Sequence, residues 1–283
     1  MKPKDCNFGL YHIVDVHAHL SARKDDLLIR YARMNGLEYT LSELLGLMKR
    51  HGIGRALLLS PPLVSKNFLP NEEIIGICAK SGGLLSPVVT VAPTTGGVAT
   101  AVAIAKKNRE AVKGFKVPLG YVRAYPYDEV FGRLYDFAEK EGLPVLFHTG
   151  DTAEPNGSLV HSHPLTLDVL ANSRPRLKVV ACHFGNPWID DVAELIYKHR
   201  NVYADISGLA VGGSKYFGRY TEWLARRLSE AIHFAGGASK VLFGTDYPVT
   251  TQEAALTIVS KLDVDDNDRE GILWRNANRV FSL

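Results

Sequence analysis

The chain has little cysteine, little net charge and no long apolar run, and each shortage removes a class of protein. Cys6, Cys78 and Cys182 are odd in number and far apart. A disulfide framework is therefore not expected, and a reducing cytoplasm is the default location. Thirty-three Lys and Arg against thirty Asp and Glu leave a formal charge of +3 over 283 residues. That is too weak to suggest nucleic acid or a membrane surface as a partner. No stretch of about 18 apolar residues occurs, as a membrane-spanning helix would need. Met1–Asn7 is polar and contains no apolar core of a signal peptide. No glycine-rich phosphate fingerprint follows the first apolar run, and Gly212-Gly213-Ser214-Lys215 lacks the spacing of a phosphate loop.

What the chain does have is a soluble composition, with 46% hydrophobic and 22% charged residues, and a regular alternation. Short runs rich in Val, Ile, Leu and Phe recur at Ile13–Leu20, Arg55–Pro61, Leu85–Ala92, Val112–Pro118, Pro144–Thr149, Leu177–Phe184, Val202–Ser207 and Val241–Tyr247. None has a polar face, as expected of strands covered on both sides. Segments of helical period lie between them. Thr40 with Glu43 reads as a capping box, with a stop at Gly52. Asp128–Glu141 carries an apolar stripe that ends at Gly142. Further helices are expected near Val98–Asn108, Leu165–Asn172, Trp188–His199, Tyr220–Ala235, Gln252–Leu262 and Asp266–Trp274. Eight strands alternating with helices in this length predict an α/β fold, a (β/α)8 TIM barrel, with residues 1–283 as one domain.

In such a barrel, function sits at the C-terminal ends of the strands. Those ends carry His17 and His19, Lys116, His148, His183 and Asp246. The two-residue period of a strand puts His17 and His19 on one face, with Val16 and Ala18 toward the helices. By the same rule Phe147 and Cys182 point outward, which makes Cys182 a packing residue. Imidazoles and a carboxylate converging on one volume suit zinc and related first-row ions, with room left for a reactive water. A single buried histidine is more often a hydrogen-bonded core residue; the set is harder to explain by packing.

Several fragments, in order, carry a resemblance over most of the chain. They are Val14-Asp15-Val16-His17-Ala18-His19, Gly114-Phe115-Lys116, Leu143 to Gly150, Val180 to Gly185, Asn201 to Gly208, Phe243 to Pro248 and Asn276 to Phe281. Together they resemble the amidohydrolase superfamily, in the branch of small metal-dependent barrel hydrolases that includes aminocarboxymuconate-semialdehyde decarboxylase. The resemblance implies that His17, His19, His148 and Asp246 hold one divalent metal, zinc foremost, with His183 as acid/base. Other branches of the superfamily hold two ions through a carboxylated lysine. Lys116 occupies a place where such a lysine could lie, with His183 beside a second ion; its alternatives are an anion-binding charge or an ion pair.

The expected reaction is hydrolysis of a small ester, lactone or amide. In it, the ion lowers the pKa of its water from about 15.7 to near 7. Asp246 then takes the proton and His183 stabilises the oxyanion or the leaving group. The alternatives are non-hydrolytic decarboxylation of an aromatic or unsaturated carboxylic acid, and an inactive barrel used for binding. The expected partner is a small-molecule substrate, and a homodimer is a common state for such barrels. Arg123, Tyr121 and Tyr125 after strand four, His161 and His163 in Asp151–Pro164, and Tyr247 are candidates for touching substrate or for packing alone. His12, His51, His199 and His233 belong to no cluster, and Trp188 and Asp205 lie near site residues but could be structural.

Overall fold

A computed structural model describes residues 12–20, 27–60, 69–210 and 217–283. Cys6, the expected end of strand two at Pro61 and the Gly212–Lys215 segment lie outside the described residues. The elements run in the order β1 (Ile13–His19), α1 (Leu27–Met34), α2 (Leu41–Arg50), β2 (Ile53–Leu59), α3 (Asn71–Ala79), β3 (Leu85–Thr90), α4 (Thr95–Lys107) and β4 (Phe115–Val117). Then come α5 (Gly132–Glu141), β5 (Val145–Phe147), α6 (Leu159–Ser162), α7 (Thr166–Ser173), β6 (Val179–Ala181), α8 (Ile189–Lys198) and β7 (Val202–Asp205). The chain finishes with α9 (Phe217–Phe234), β8 (Val241–Leu242), α10 (Gln252–Lys261), α11 (Asp266–Glu270) and α12 (Asn276–Phe281). The eight strands form one sheet in sequence order, each parallel to the next. This is the expected TIM-barrel architecture.

The strands from β4 onward are shorter than their apolar runs, and β8 pairs over only Val241–Leu242. Hydrophobicity continues past the hydrogen-bonded ladder because the turns that leave it are buried as well. At the seam between the last strand and the first, the sheet closes through single bonds. Val16 N donates to Phe243 O (3.0 Å), Asp246 N to His17 O (2.6 Å) and His19 N to Tyr247 O (2.8 Å).

Pairing register separates two apolar layers. Leu57, Leu59, Val88, Leu146, Val180 and Leu242 face one another inside the barrel, and α12 lays Ala277, Val280 and Phe281 onto this cluster. Phe115, Val117, Val145, Phe147, Val179 and Ala181 belong instead to the outer core under the helices.

Capping and periodicity locate most helices within a few residues. Thr40 caps α2 by accepting from Glu43 N (3.1 Å). Glu43, however, does not return to the cap residue. Its carboxylate takes Glu38 N (3.0 Å) and Tyr39 N (2.9 Å), so it staples the loop before the helix. The expected Asp266–Trp274 helix is interrupted, since Gly271–Arg275 adopts a π turn between α11 and α12. Sequence patterning alone does not assign α1, α3 or α12. No described helix is long and apolar enough to cross a membrane.

Candidate metal centre

The first strand supplies two of the site's side chains by breaking its own period. Asp15 pairs with Ala56 and Ala18 with Leu58, so three steps on β1 oppose two on β2, the signature of a β-bulge. Ala18 packs outward as expected. Val16 does not: it joins the inner cluster with Val14 and Leu57, because the extra residue interrupts strict alternation. His17 and His19 still reach a common point, where His19 Nε2 lies 3.0 Å and His17 Nε2 3.5 Å from Asp246 Oδ1.

Their far ring nitrogens determine what the near ones can do. His19 Nδ1 sits 3.1 Å from Leu59 O, a carbonyl that can only accept. His17 Nδ1 sits 3.1 Å from Asp205 Oδ2, and an ionised carboxylate likewise only accepts. A neutral imidazole has one N–H, and a ring that places it on Nδ1 turns a lone pair toward Asp246. Burial and then Lys116 hold His17 neutral, with its pKa lowered to about 3. Asp205 and Asp246 are both held below the usual carboxylate range. Burial opposes their ionisation, and the histidines around them, with Lys116 at Asp205, outweigh it. With the ring protons on Nδ1, two imidazole nitrogens and a carboxylate oxygen would aim their lone pairs at one point. This donor set suits a divalent cation.

His148 and His183 form a second confrontation. His148 Nε2 is 2.9 Å from Asp151 O, and His183 Nδ1 is 3.1 Å from Ser207 O. Each neutral ring thus donates to a carbonyl, which leaves His148 Nδ1 and His183 Nε2 facing each other at 3.1 Å. One added proton, or a cation beside them, relieves that repulsion. Burial pushes both pKa values down. His148, expected as a metal ligand, does not join the cluster of His17, His19 and Asp246, because its ring is turned to Asp151 and His183.

Strained backbone places the two side chains that lie beyond the ladder. His183 (φ 61°), Phe184 (φ 43°) and Asp246 (φ 59°) all occupy the left-handed region, which costs a non-glycine residue about 1–2 kcal/mol. Gly208 (φ +67°) lets the chain pass against both sites; a Cβ there would lie 2.8 Å from Asp246 Oδ2 and 2.9 Å from His183 Nδ1. Asp15 ties the seam by accepting from His17 N (3.0 Å), Thr245 N (2.9 Å) and Thr245 Oγ1 (2.6 Å). Burial raises its pKa to about 7 against those three bonds.

Cys182 faces inward rather than outward. It lies in the inner cluster, two residues beyond Val180 on the same side, and Lys116 Nζ donates to its Sγ at 2.9 Å. It stays a packing residue, with its thiol pushed well above the ordinary range by burial. Lys116 is buried and bonded to that thiol. Tyr247, expected as a substrate contact, has a fully buried ring, and its hydroxyl donates to Glu43 Oε2 (2.8 Å). His161 bonds Ser158 Oγ (2.6 Å) and packs on Tyr125, Tyr121 places its ring edge-on to His148, and Arg123 lies on the loop after β4.

Sequence reasoning undervalues Asp205, Ser207, Gly208 and Asp15. Asp205 is within reach of the strand-end rule, being the last residue of β7, as Phe147 and Ala181 end the strands just before His148 and Cys182-His183.

A likeness in fold extends over the whole barrel. An uncharacterised TIM-barrel protein from Bordetella bronchiseptica superposes with a TM-score of 0.74 at 19% identity, covering 95% of this chain and 98% of that one. A dihydroxybenzoic acid decarboxylase from Polaromonas, with bound manganese and the inhibitor 2-nitroresorcinol, gives 0.70 at 16% identity and covers 97% and 98%. A probable 2-pyrone-4,6-dicarboxylic acid hydrolase from Acinetobacter baumannii, with citric acid bound, gives 0.67 at 17% and covers 96% and 100%. No functionally curated protein matches the sequence. The amidohydrolase family model matches residues 14–283, so the chain belongs to the amidohydrolase family.

Proposed function

We propose that this protein is a metal-dependent decarboxylase of a small aromatic or unsaturated carboxylic acid. The observation that carries the metal dependence is the meeting of His17 Nε2, His19 Nε2 and Asp246 Oδ1 at 3.0 and 3.5 Å with both Nδ1 protons committed elsewhere. His17, His19 and Asp246 would hold the ion. When bound, a divalent ion would neutralise the acid's carboxylate and an adjoining oxygen and draw electron density from the bond to be broken. Manganese in the Polaromonas decarboxylase makes Mn2+ as suitable a candidate as zinc.

Decarboxylation breaks the bond between the carboxyl carbon and its neighbour, releases carbon dioxide and leaves the electron pair on the neighbour, which takes a proton. The chain must therefore deliver a proton. His183 Nε2 and His148 Nδ1 face each other at 3.1 Å, so a proton taken up there during turnover would be shared between two bases. His183 is positioned to pass it on as general acid. Tyr121 packs edge-on to His148. Aromatic acid decarboxylases among the structural neighbours support this reading over the hydrolysis expected from sequence. Hydrolysis stays as the second reading because the pyrone dicarboxylic acid hydrolase spans the same chain length.

The test is a panel of hydroxylated benzoic acids and, beside them, carboxylated pyrone lactones, with Mn2+ or Zn2+, run in D2O and separately in 18O-labelled water. Carbon dioxide release, with one deuterium at the vacated carbon and no 18O in the product, is the expected result. Label from water in the product without carbon dioxide would favour hydrolysis.

A further inference from the structure

We propose that Asp205 is a positioning residue that selects which nitrogen of His17 faces the metal centre, while the same carboxylate holds the turn that carries His183. This rests on reading His17, His19 and Asp246 as a metal centre. It does not depend on the reaction performed there.

Asp205 ends β7 and is fully buried. Its two oxygens divide the work. Oδ1 accepts from His183 N (2.9 Å), Ser207 N (3.1 Å) and Ser207 Oγ (2.5 Å). Two of those donors are backbone N–H groups, which cannot reverse. Oδ2 accepts from His17 Nδ1 at 3.1 Å. An ionised carboxylate has no proton to give, so Nδ1 must donate and Nε2 must bear the lone pair. This is the carboxylate–histidine arrangement that fixes a ligand ring from behind. The His183 amide bonded by Oδ1 belongs to a residue at φ 61°, so the same group supports a strained turn.

A buried carboxylate needs a compensating charge. Lys116 supplies it through an intermediary, since its Nζ donates to Cys182 Sγ and that thiol lies against Asp205. This gives Lys116 a use in the chain that needs no second ion.

His17, His183 and Asp205 also lie close enough together to suggest a metal site of their own. Ser207 Oγ occupies that space, 3.1 Å from His17 Nδ1, 3.0 Å from His183 Nδ1 and 2.5 Å from Asp205 Oδ1. The cluster is thus already filled by a hydroxyl and by ring and backbone hydrogens.

Asp205→Asn is a sharp perturbation because its geometry is forced. The two backbone N–H groups oblige the amide oxygen to take the place of Oδ1. The NH2 must then face His17 Nδ1 and drive that ring to carry its proton on Nε2, toward Asp246. Volume is unchanged. In metal-free, 15N-histidine-labelled protein, NMR should find His17 protonated on Nδ1 in the parent chain and on Nε2 in Asp205→Asn, the signal being identified by its loss in a His17→Gln chain. Calorimetric titration with Mn2+ or Zn2+ should show affinity reduced about 10–100-fold in Asp205→Asn. An Nε2–H tautomer in the parent chain would overturn the proposal, even if Asp205→Asn failed to fold. So would parental metal affinity in Asp205→Asn. A parent chain that binds neither ion would refute the metal-centre reading instead, and the metal-free tautomers would still decide the role of Asp205.

Discussion

Gly208→Ala tests whether the backbone passing beside Asp246 and His183 sets their positions. The new Cβ would stand 2.8 Å from Asp246 Oδ2 and 2.9 Å from His183 Nδ1, where ordinary contact begins near 3.4 Å. One or both side chains must therefore retreat by about half an ångström, more than the roughly 0.2 Å that metal–ligand distances tolerate. A left-handed backbone costs alanine about 1–2 kcal/mol, and relieving the overpacking adds about 1–3 kcal/mol. Gly142→Ala is the natural control. Gly142 has nearly the same φ, +68°, but nothing lies within 4 Å of where its new methyl group would stand, so it should lose the first contribution alone. Thermal melts of metal-free protein should place Gly142→Ala about 2–4 °C below the parent, and Gly208→Ala lower still. Titration with Mn2+ or Zn2+ should leave Gly142→Ala unaffected and weaken Gly208→Ala about 10–100-fold. If the two variants matched in both assays, the close approach would have no bearing on the site.

Removing metal with a chelator should abolish activity and lower Tm. Restoring free ion to 100 times its Kd should return about 2.7 kcal/mol, and a Tm unmoved by chelation and reconstitution would argue against an ion at the barrel mouth. Stability of the metal-free chain should fall as pH drops below about 6.5. His17, lowered to about 3, and His148 and His183, also lowered, stay neutral when folded, whereas the unfolded chain takes up protons there. Asp15, raised to about 7, works in the opposite direction by holding a proton in the folded chain, but it is one group against three. A flat denaturation midpoint between pH 7.5 and 5 would contradict this balance. Tyr247→Phe removes the bond to Glu43 and should cost about 1.5–3 kcal/mol with KM unchanged; a large rise in KM would return Tyr247 to the substrate.

The barrel is legible in the sequence because buried parallel strands write themselves as unbroken apolar runs, and eight such runs leave little choice of architecture. His17, His19 and Asp246 are legible because strand ends are where a barrel displays its chemistry. What the sequence does not convey is departure from ideal geometry. Strict alternation places Val16 outside, and the bulge moves it in. Counting from His183 places Cys182 outside, yet His183 has left the strand for a left-handed turn, and the parity runs from Val180 instead. His148 stands at a strand end like the others, while its ring orientation depends on Asp151 O and His183, which no local pattern encodes. Tyr247 adjoins Asp246 in sequence, and only the fold sends its hydroxyl to Glu43, some 200 residues earlier in the chain.

The seam between the first and last strands has a consequence for assembly. His17 and His19 lie on one side of it and Asp246 on the other, joined by isolated backbone bonds rather than a ladder. These three side chains come together only when the two ends of the barrel meet, so under the proposed metal reading competence for an ion and completion of the fold are one event. An ion seated there would span the joint and act as a clasp. Its departure should loosen the barrel first along that line, and hydrogen exchange at the amides of Val16, His19 and Asp246 would record the opening.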